Sequence, residues 1–222
     1  MNNTQIRIYY FFDVLCGWCY GFSPVIQKLH DKYKDKMHFE ILSGGMVTGT
    51  RIGPIGQVAA YIKDAHKTVE DTAGVPFGEA FLKNILEEGS TIFSSIPPSL
   101  AMVVFKTQQK ENAIPFAGSL QKAVYYDGID PNDYEAYGRY AASFGLDEKN
   151  FVEQMRGSQA TAMMEREFEM TNQSGVQGFP TLIAAVGQEM YVLTRGYAPF
   201  DKLDDVFSKL VDLAAAQQKT GG

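Results

Sequence analysis

Both cysteines of the 222-residue chain lie within four positions, in the segment Cys16-Gly17-Trp18-Cys19. At the first turn of a helix, two residues with this spacing have Cα atoms about 5–6 Å apart, which is inside the usual disulfide range. A disulfide between them closes a very small loop and removes little entropy from the unfolded chain. The pair is therefore a poor structural crosslink, and its spacing favours thiol–disulfide chemistry.

The residues of this segment are expected to have different roles. The N-terminus of a helix offers unpaired N–H groups and about half a positive charge, which favours a thiolate. We expect Cys16 to be the more exposed nucleophile and Cys19, one turn inside, to be the resolving thiol that breaks a mixed disulfide. Gly17 leaves the turn flexible, and the Trp18 ring offers an apolar contact, so both are predicted to face the substrate.

Two other interpretations of the cysteine pair stay open. A zinc site needs four ligands, whereas the histidines His30, His38 and His66 are irregularly spaced, so we predict no metal. The pair would instead be inert if it were buried as two small apolar residues, as free cysteine often is. Since the spacing suits a reversible disulfide, we favour redox chemistry.

An apolar strand and a helix are predicted to position the cysteines. Residues Ile6–Phe12 are β-branched and aromatic almost throughout, which is typical of a buried parallel strand. After the cysteines, Ser23-Pro24 caps or kinks a helix that ends near Lys36. A second short strand, His38–Leu42, completes a β-α-β unit.

The rest of the chain is helical first and returns to strands afterwards. Residues 53–175 have a helical pattern, with one helix beginning at Asp130-Pro131. A hairpin over residues 181–194 and an amphipathic helix from about Phe200 follow.

This order of elements predicts an α/β fold. Two halves of a sheet separated by helices indicate a chain that leaves the sheet, forms an inserted domain and returns. We therefore predict a thioredoxin-like core (β-α-β … β-β-α), residues 1–52 plus 176–222, with a large all-helical insertion, residues 53–175. The cysteines then lie at the C-terminal end of the first strand, where α/β proteins bind and react.

A second motif, Gly178-Phe179-Pro180-Thr181, stands at the entrance to the hairpin. Proline at the start of a strand is restricted to edges or special geometry. Because only about one X–Pro bond in twenty is cis, a plain trans proline is the local alternative.

Together the two motifs resemble the thioredoxin superfamily, and more closely its DsbA-like branch with FrnE-type and 2-hydroxychromene-2-carboxylate isomerase-type proteins. The matching pieces are Asp13-x-x-Cys16-x-Trp18-Cys19, the helical insertion, the Gly-Phe-Pro-Thr entrance, and the closing hairpin and helix. The resemblance implies that Pro180 is a cis-proline facing Cys16. It also implies that Phe179 offers backbone groups to an extended substrate peptide.

The activity that the resemblance implies is thiol–disulfide exchange with protein or small-molecule thiols and disulfides. No cofactor is implied beyond a redox-active Cys16–Cys19 disulfide, with glutathione as a candidate co-substrate. Two rival functions are a non-catalytic adaptor or binding protein on the same fold and a glutathione-dependent isomerase. Relatives that are such isomerases generally have serine in place of Cys16, which weighs against the second rival.

Asp13 precedes the motif by three residues and has two interpretations. As a partly buried acid it would relay protons to Cys19. As a carboxylate at the end of a strand it would cap the following turn, which the frequency of Asp at helix caps favours.

The charge and the apolar segments exclude several partners. The net charge is −6 and no block of Lys or Arg occurs, so neither nucleic acid nor an anionic membrane surface is expected to bind. The N-terminal segment lacks the pattern of a secretory signal, and no apolar run is long enough to span a bilayer. We therefore predict a cytoplasmic protein, with an oligomeric state that the sequence leaves open.

Overall fold

The computed structural model describes the backbone of residues 6–220 and the side chains of residues 6–217. Strands and helices follow one another in this order: β1 (Ile6–Phe12), α1 (Gly17–Tyr33), β2 (Met37–Ser43), β3 (Gly53–Pro54), α2 (Ala59–Ala73), α3 (Glu79–Phe81, continuing as a π-helix over Leu82–Glu87), β4 (Ile92–Phe93), α4 (Ile96–Gln108), α5 (Ala113–Tyr125), α6 (Tyr134–Ala142), α7 (Glu148–Met155), α8 (Ser158–Gln173), β5 (Thr181–Val186), β6 (Glu189–Arg195) and α9 (Phe200–Thr220).

Four strands form the main sheet in the order β2-β1-β5-β6. β1 runs parallel to β2, with Ile6 opposite Met37, and antiparallel to β5, with Ile6 opposite Val186. β5 and β6 form the predicted hairpin, with Val186 opposite Glu189. The central position of β1 explains why nearly every residue in it is apolar, since both of its faces are covered.

The two faces of β1 are packed against different layers. Ile8, Tyr10 and Phe12 belong to the main core with the buried face of α1, while Phe11 joins a smaller cluster with Ile183 on the opposite face. α1 starts directly after Cys16 and continues through Pro24. The end of β1 is therefore buried where it leads into the cysteine turn.

The insertion is helical except for one detail that corrects the prediction. β3 and β4 form a two-residue antiparallel ladder, with Gly53 opposite Phe93. Elements this short have no hydrophobic periodicity, so the sequence pattern does not reveal them. The helix expected at Asp130-Pro131 begins instead at Tyr134, because the Asp133 side chain caps it by accepting a hydrogen bond from Ala136 N.

Helices of the insertion cover the outer edge of β2. Lys106 on α4 donates to the Ile41 carbonyl at 2.8 Å and forms an ion pair with Glu167 on α8. Glu167 accepts from Ser43 N at 3.1 Å, and Thr171 donates to the Ser43 carbonyl at 3.2 Å. These side chains therefore form hydrogen bonds with backbone groups that the outer edge of β2 would otherwise leave unpaired.

One continuous cluster of buried residues joins the sheet, α1 and the insertion. Phe105 and Phe116, from α4 and α5, belong to this cluster together with Ile8 of β1. The predicted division at residues 52/53 and 175/176 stays a prediction, and residues 1–5 and 221–222 of the predicted core lie outside the described part. Within residues 6–220, no helix is both long enough and apolar enough to cross a membrane.

Candidate active site

The cysteine turn joins β1 to α1 and places Cys16 at the N-cap of α1. Cys16 N donates to the Asp13 carbonyl at 3.1 Å, and Tyr20 N makes a 3.0 Å hydrogen bond with the Cys16 carbonyl. The Cys16 sulfur accepts a hydrogen bond from Cys19 N at 3.2 Å. An N–H group that would otherwise be unpaired at the helix start thus points at the sulfur.

The two thiols differ in their surroundings. Cys16 is 5% exposed and Cys19 is fully buried, so Cys16 is the more accessible, as expected, although both are buried. Burial raises the pKa of the Cys19 thiol well above its usual value, and the hydrogen bond and charge of Cys16 add to this rise. A backbone hydrogen bond from Asp13 lowers the pKa of Cys19 to a smaller extent. Cys19 is therefore a neutral thiol at rest.

The Phe179 carbonyl lies directly against the Cys16 sulfur. The Phe179–Pro180 peptide bond is cis, and the Cys16 thiol donates to the Phe179 carbonyl at 3.6 Å. The Phe179 ring packs so closely on Gly44, at the end of β2, that a Cβ there would lie 2.0 Å from the ring's Cζ. The strand entrance predicted to face Cys16 does so through this carbonyl, while the roles of Phe179 and Pro180 toward a substrate stay predictions.

A cavity of about 590 Å³ opens beside Cys16 between the thioredoxin-like part and the insertion. Cys16, Gly17, Trp18 and Phe179 line it together with side chains that are mostly apolar or aromatic. The main members of this lining are Leu15, Met46, Val47, Ile55, Ile62, Val69, Phe77, Phe93 and Tyr125, with Arg51, Gln57 and His66 as polar members. Four of the six residues predicted to react or to face the substrate therefore share one cavity, whereas Cys19 and Pro180 are not part of its lining.

Asp13 is buried, and its carboxylate holds three separate segments together. Oδ1 accepts from Leu15 N and from the Ser95 hydroxyl, both at 2.9 Å, and Oδ2 accepts from Met46 N at 2.8 Å. Burial raises the pKa of Asp13, whereas the hydrogen bonds from Met46, Leu15 and Ser95 lower it. Because these donors occupy both oxygens, the geometry favours the cap over the proton relay, which stays a prediction.

Several residues of the site have no recognisable signal in the sequence. Ser95 reaches Asp13 across 82 residues, and Gln121 donates to the Asp13 carbonyl at 3.5 Å across 108 residues. Tyr125 lines the cavity from α5. Ser95 stands just before α4, where serine is commonly a helix cap, so its contact with the active site is not predictable from the sequence pattern.

A family model described as thioredoxin matches residues 9–203. A protein provisionally named a protein disulfide isomerase, from Nitrosomonas europaea, is 26% identical with a TM-score of 0.79, covering 96% of this chain and 98% of that one. The cytosolic disulfide reductase DsbM from Pseudomonas aeruginosa is 24% identical with a TM-score of 0.76, covering 96% and 99%. A structure of DsbM with glutathione is similar at 23% identity and a TM-score of 0.75, covering 96% and 99%.

Among curated proteins, the ClpXP adapter protein SpxH from Halalkalibacterium halodurans is 23% identical over 187 residues, which is 82% of this chain. The chain spans 59% of the length of this relative. Together the matches confirm the predicted thioredoxin-like α/β fold with its helical insertion and the resemblance to DsbA-like proteins. They support a disulfide oxidoreductase activity in general.

A methyl group at position 44 is expected to displace the Phe179 ring. Gly44→Ala should lower the free energy of unfolding by about 1–3 kcal/mol, because the ring has to move out of a packed position. Gly178→Ala is the matched control, since no atom lies within 4 Å of its added Cβ. Denaturant unfolding of both variants checks this, and a Gly44→Ala, Phe179→Leu double variant should regain stability. Equal stability of the two single variants would contradict the packing described.

Asp13→Asn is expected to lower the free energy of unfolding by about 1–3 kcal/mol, because an amide has one acceptor oxygen and leaves a buried donor unpaired. Asp147→Asn is the control: Asp147 is an exposed N-cap that accepts from Asn150 N, and Asn caps helices equally well. Denaturant unfolding measures both. A loss as small at position 13 as at position 147 would contradict the role of Asp13 as a buried anchor.

Proposed function

Because this chain belongs to the thioredoxin family, we propose that it is a thiol–disulfide oxidoreductase with Cys16 as nucleophile and Cys19 as resolving thiol. The observation that carries the proposal is the position of the Cys16 sulfur. It accepts the Cys19 N–H at the helix start, faces the Phe179 carbonyl and lines the cavity. This is where an attacking sulfur and a substrate would meet.

The first step forms a mixed disulfide. The Cys16 thiolate attacks one sulfur of a substrate disulfide, forms a new S–S bond and expels the other substrate sulfur as a thiolate. The Phe179 carbonyl accepts the thiol hydrogen bond at rest, and Cys19 N still donates to the sulfur after its proton has left. The Cys19 N–H group therefore stays bonded to the sulfur while the sulfur carries its charge.

The second step releases the substrate. The Cys19 thiolate attacks the Cys16 sulfur, forms the Cys16–Cys19 disulfide and expels the remaining substrate thiolate. Two electrons pass from the cysteine pair to the substrate, and the reverse sequence oxidises a substrate dithiol. Because burial raises the pKa of Cys19, this step requires deprotonation and should accelerate as the pH rises above neutrality.

The cavity beside Cys16 supports disulfides with an apolar body, from peptides or from small molecules. Its lining is mostly apolar, and Arg51 supplies a positive charge among it. Phe179, which lines the same cavity, would offer backbone groups to an extended peptide. Glutathione is a suitable co-substrate, supported by the glutathione-bound structure of DsbM, and the cytosolic location of that relative supports a cytoplasmic setting.

A second candidate function is that of an adaptor without turnover. The similarity to the ClpXP adapter protein SpxH favours it, although that relative is substantially longer than the matched region. Cells carrying a Cys16→Ser, Cys19→Ser double variant distinguish the two functions. An unchanged cellular phenotype favours the adaptor, and loss of function favours the redox enzyme.

Cys19→Ser is expected to trap a mixed disulfide on Cys16, because the serine hydroxyl does not displace the bound thiol. After incubation with glutathione disulfide, intact-mass measurement should show one glutathione adduct, which a reductant removes. Cys16→Ser is the control and should remain unmodified, since Cys19 is fully buried. The absence of an adduct on Cys19→Ser with every disulfide tested would contradict the proposed function.

A further inference from the structure

The hydroxyl of Tyr10 is buried without a hydrogen-bond partner. Tyr10 is 1% exposed, and its Oη has no hydrogen-bond partner among the described residues. Burying a hydroxyl in this way is unfavourable, and phenylalanine would fill the same space without that cost. The presence of the hydroxyl is explained if it forms a hydrogen bond in another state of the protein.

Tyr10 lies on the face of β1 that packs against α1, below the cysteine turn. Its ring is 5.8 Å from the ring of Phe22, which stands three residues after Cys19 on the buried side of the helix. Cys19 and Phe22, three residues apart, share the buried face of α1, so the Cys19 thiol lies on the side of the helix that faces Tyr10. Burial is the largest cause of the raised pKa of Tyr10, and the charges of Cys19 and Cys16 raise it further. The neighbour of the orphaned hydroxyl is thus the resolving sulfur.

We propose that the Tyr10 hydroxyl is the hydrogen-bond donor that stabilises the Cys19 thiolate as it attacks the mixed disulfide on Cys16. This inference rests on the proposed function of the two cysteines. A neutral thiol is a weak acceptor, whereas a thiolate is a strong one, so the bond gains most of its strength when Cys19 ionises. Such an interaction lowers the barrier of the step rather than the energy of the resting protein.

The step balances without a further reactant. Cys19 loses its proton, its sulfur forms a bond to the Cys16 sulfur, and the bond between Cys16 and the substrate sulfur breaks. The substrate leaves as a thiolate, which takes up the proton. Tyr10 keeps its own proton throughout, because its pKa is raised well above the usual value, and it acts only as a donor.

Other titratable groups around Cys19 do not replace this donor. Cys16, at the helix start, and the carboxylate of Asp13, at the end of β1, both raise the pKa of Cys19 through their charges. From α5, the buried Tyr125 also interacts with the charges of Cys16, Asp13 and Cys19. A backbone hydrogen bond from Asp13 lowers the pKa of Cys19.

The test follows the two steps separately in reduced protein mixed with one equivalent of dithiobis(nitrobenzoate). Attack by Cys16 releases the first thionitrobenzoate, and attack by Cys19 releases the second in a concentration-independent phase. Loss of a hydrogen bond to a charged group should lower the ionisation constant of the Cys19 thiol about ten- to a hundredfold. The thiolate of higher pKa is also the stronger nucleophile, and this offsets about half of the logarithm of that change in the rate. Tyr10→Phe should therefore slow the second phase about three- to tenfold at neutral pH and leave the first phase unchanged.

The pH profile separates this role from a structural one. Between about pH 6 and about pH 10, the rate of the second phase should increase with pH in both proteins, but in Tyr10→Phe the increase should occur at higher pH than in the native protein. Tyr33→Phe is the control. Tyr33 is the last residue of α1, far from the cysteines, and its hydroxyl donates a hydrogen bond to Asp204, so this variant should leave the rates of both phases unchanged. Difluorotyrosine at position 10 keeps the hydroxyl and strengthens it as a donor, so it should shift the profile to lower pH.

Three outcomes decide between the claims. A slower second phase with the shifted profile in Tyr10→Phe supports the inference. A second phase with the native rate and profile in Tyr10→Phe, or an unshifted profile with difluorotyrosine, overturns it while the cysteine pair still works. Absence of the second phase in the native protein overturns the proposed function itself and the inference with it.

Discussion

The buried carboxylate of Asp13 is the interaction on which the site depends. It binds the first residues of the cysteine turn through Leu15, the loop after β2 through Met46 and the insertion through Ser95. The backbone carbonyl of Asp13 accepts a hydrogen bond from Cys16 N, so the position of Cys16 follows from the position of Asp13. A buried charge of this kind is tolerated only when its acceptor sites are filled, which makes the three segments mutually dependent.

This dependence gives the insertion a part in the chemistry. Ser95 directly precedes α4 and Gln121 lies on α5, and both side chains form hydrogen bonds with Asp13. Phe77, Phe93 and Tyr125 form walls of the cavity into which Cys16 opens. The thioredoxin-like part therefore supplies the sulfurs and the cis-proline strand, while the insertion fixes the turn and shapes the space where a substrate would lie.

Local signals in the sequence predict the elements that carry the cysteines. β1 has the bounds expected from its apolar run, and the hairpin of β5 and β6 follows from two segments of strand character on either side of a turn at Gly187-Gln188. The start of α6 shows the limit, because Asp133 rather than Asp130 supplies the cap. The contacts of Ser95 and Gln121 with Asp13 depend on tertiary packing between distant segments, about which residue spacing carries no information.

The central claim is that Cys16 and Cys19 form one reversible two-electron couple. Equilibration of the native protein across a series of glutathione redox buffers, followed by alkylation and intact-mass measurement of free thiols, tests it most directly. We expect both thiols to disappear together in a single transition, with no lasting glutathione adduct and full recovery on reduction. Two thiols that stay free under every condition, or a stable adduct on one of them, would contradict the account.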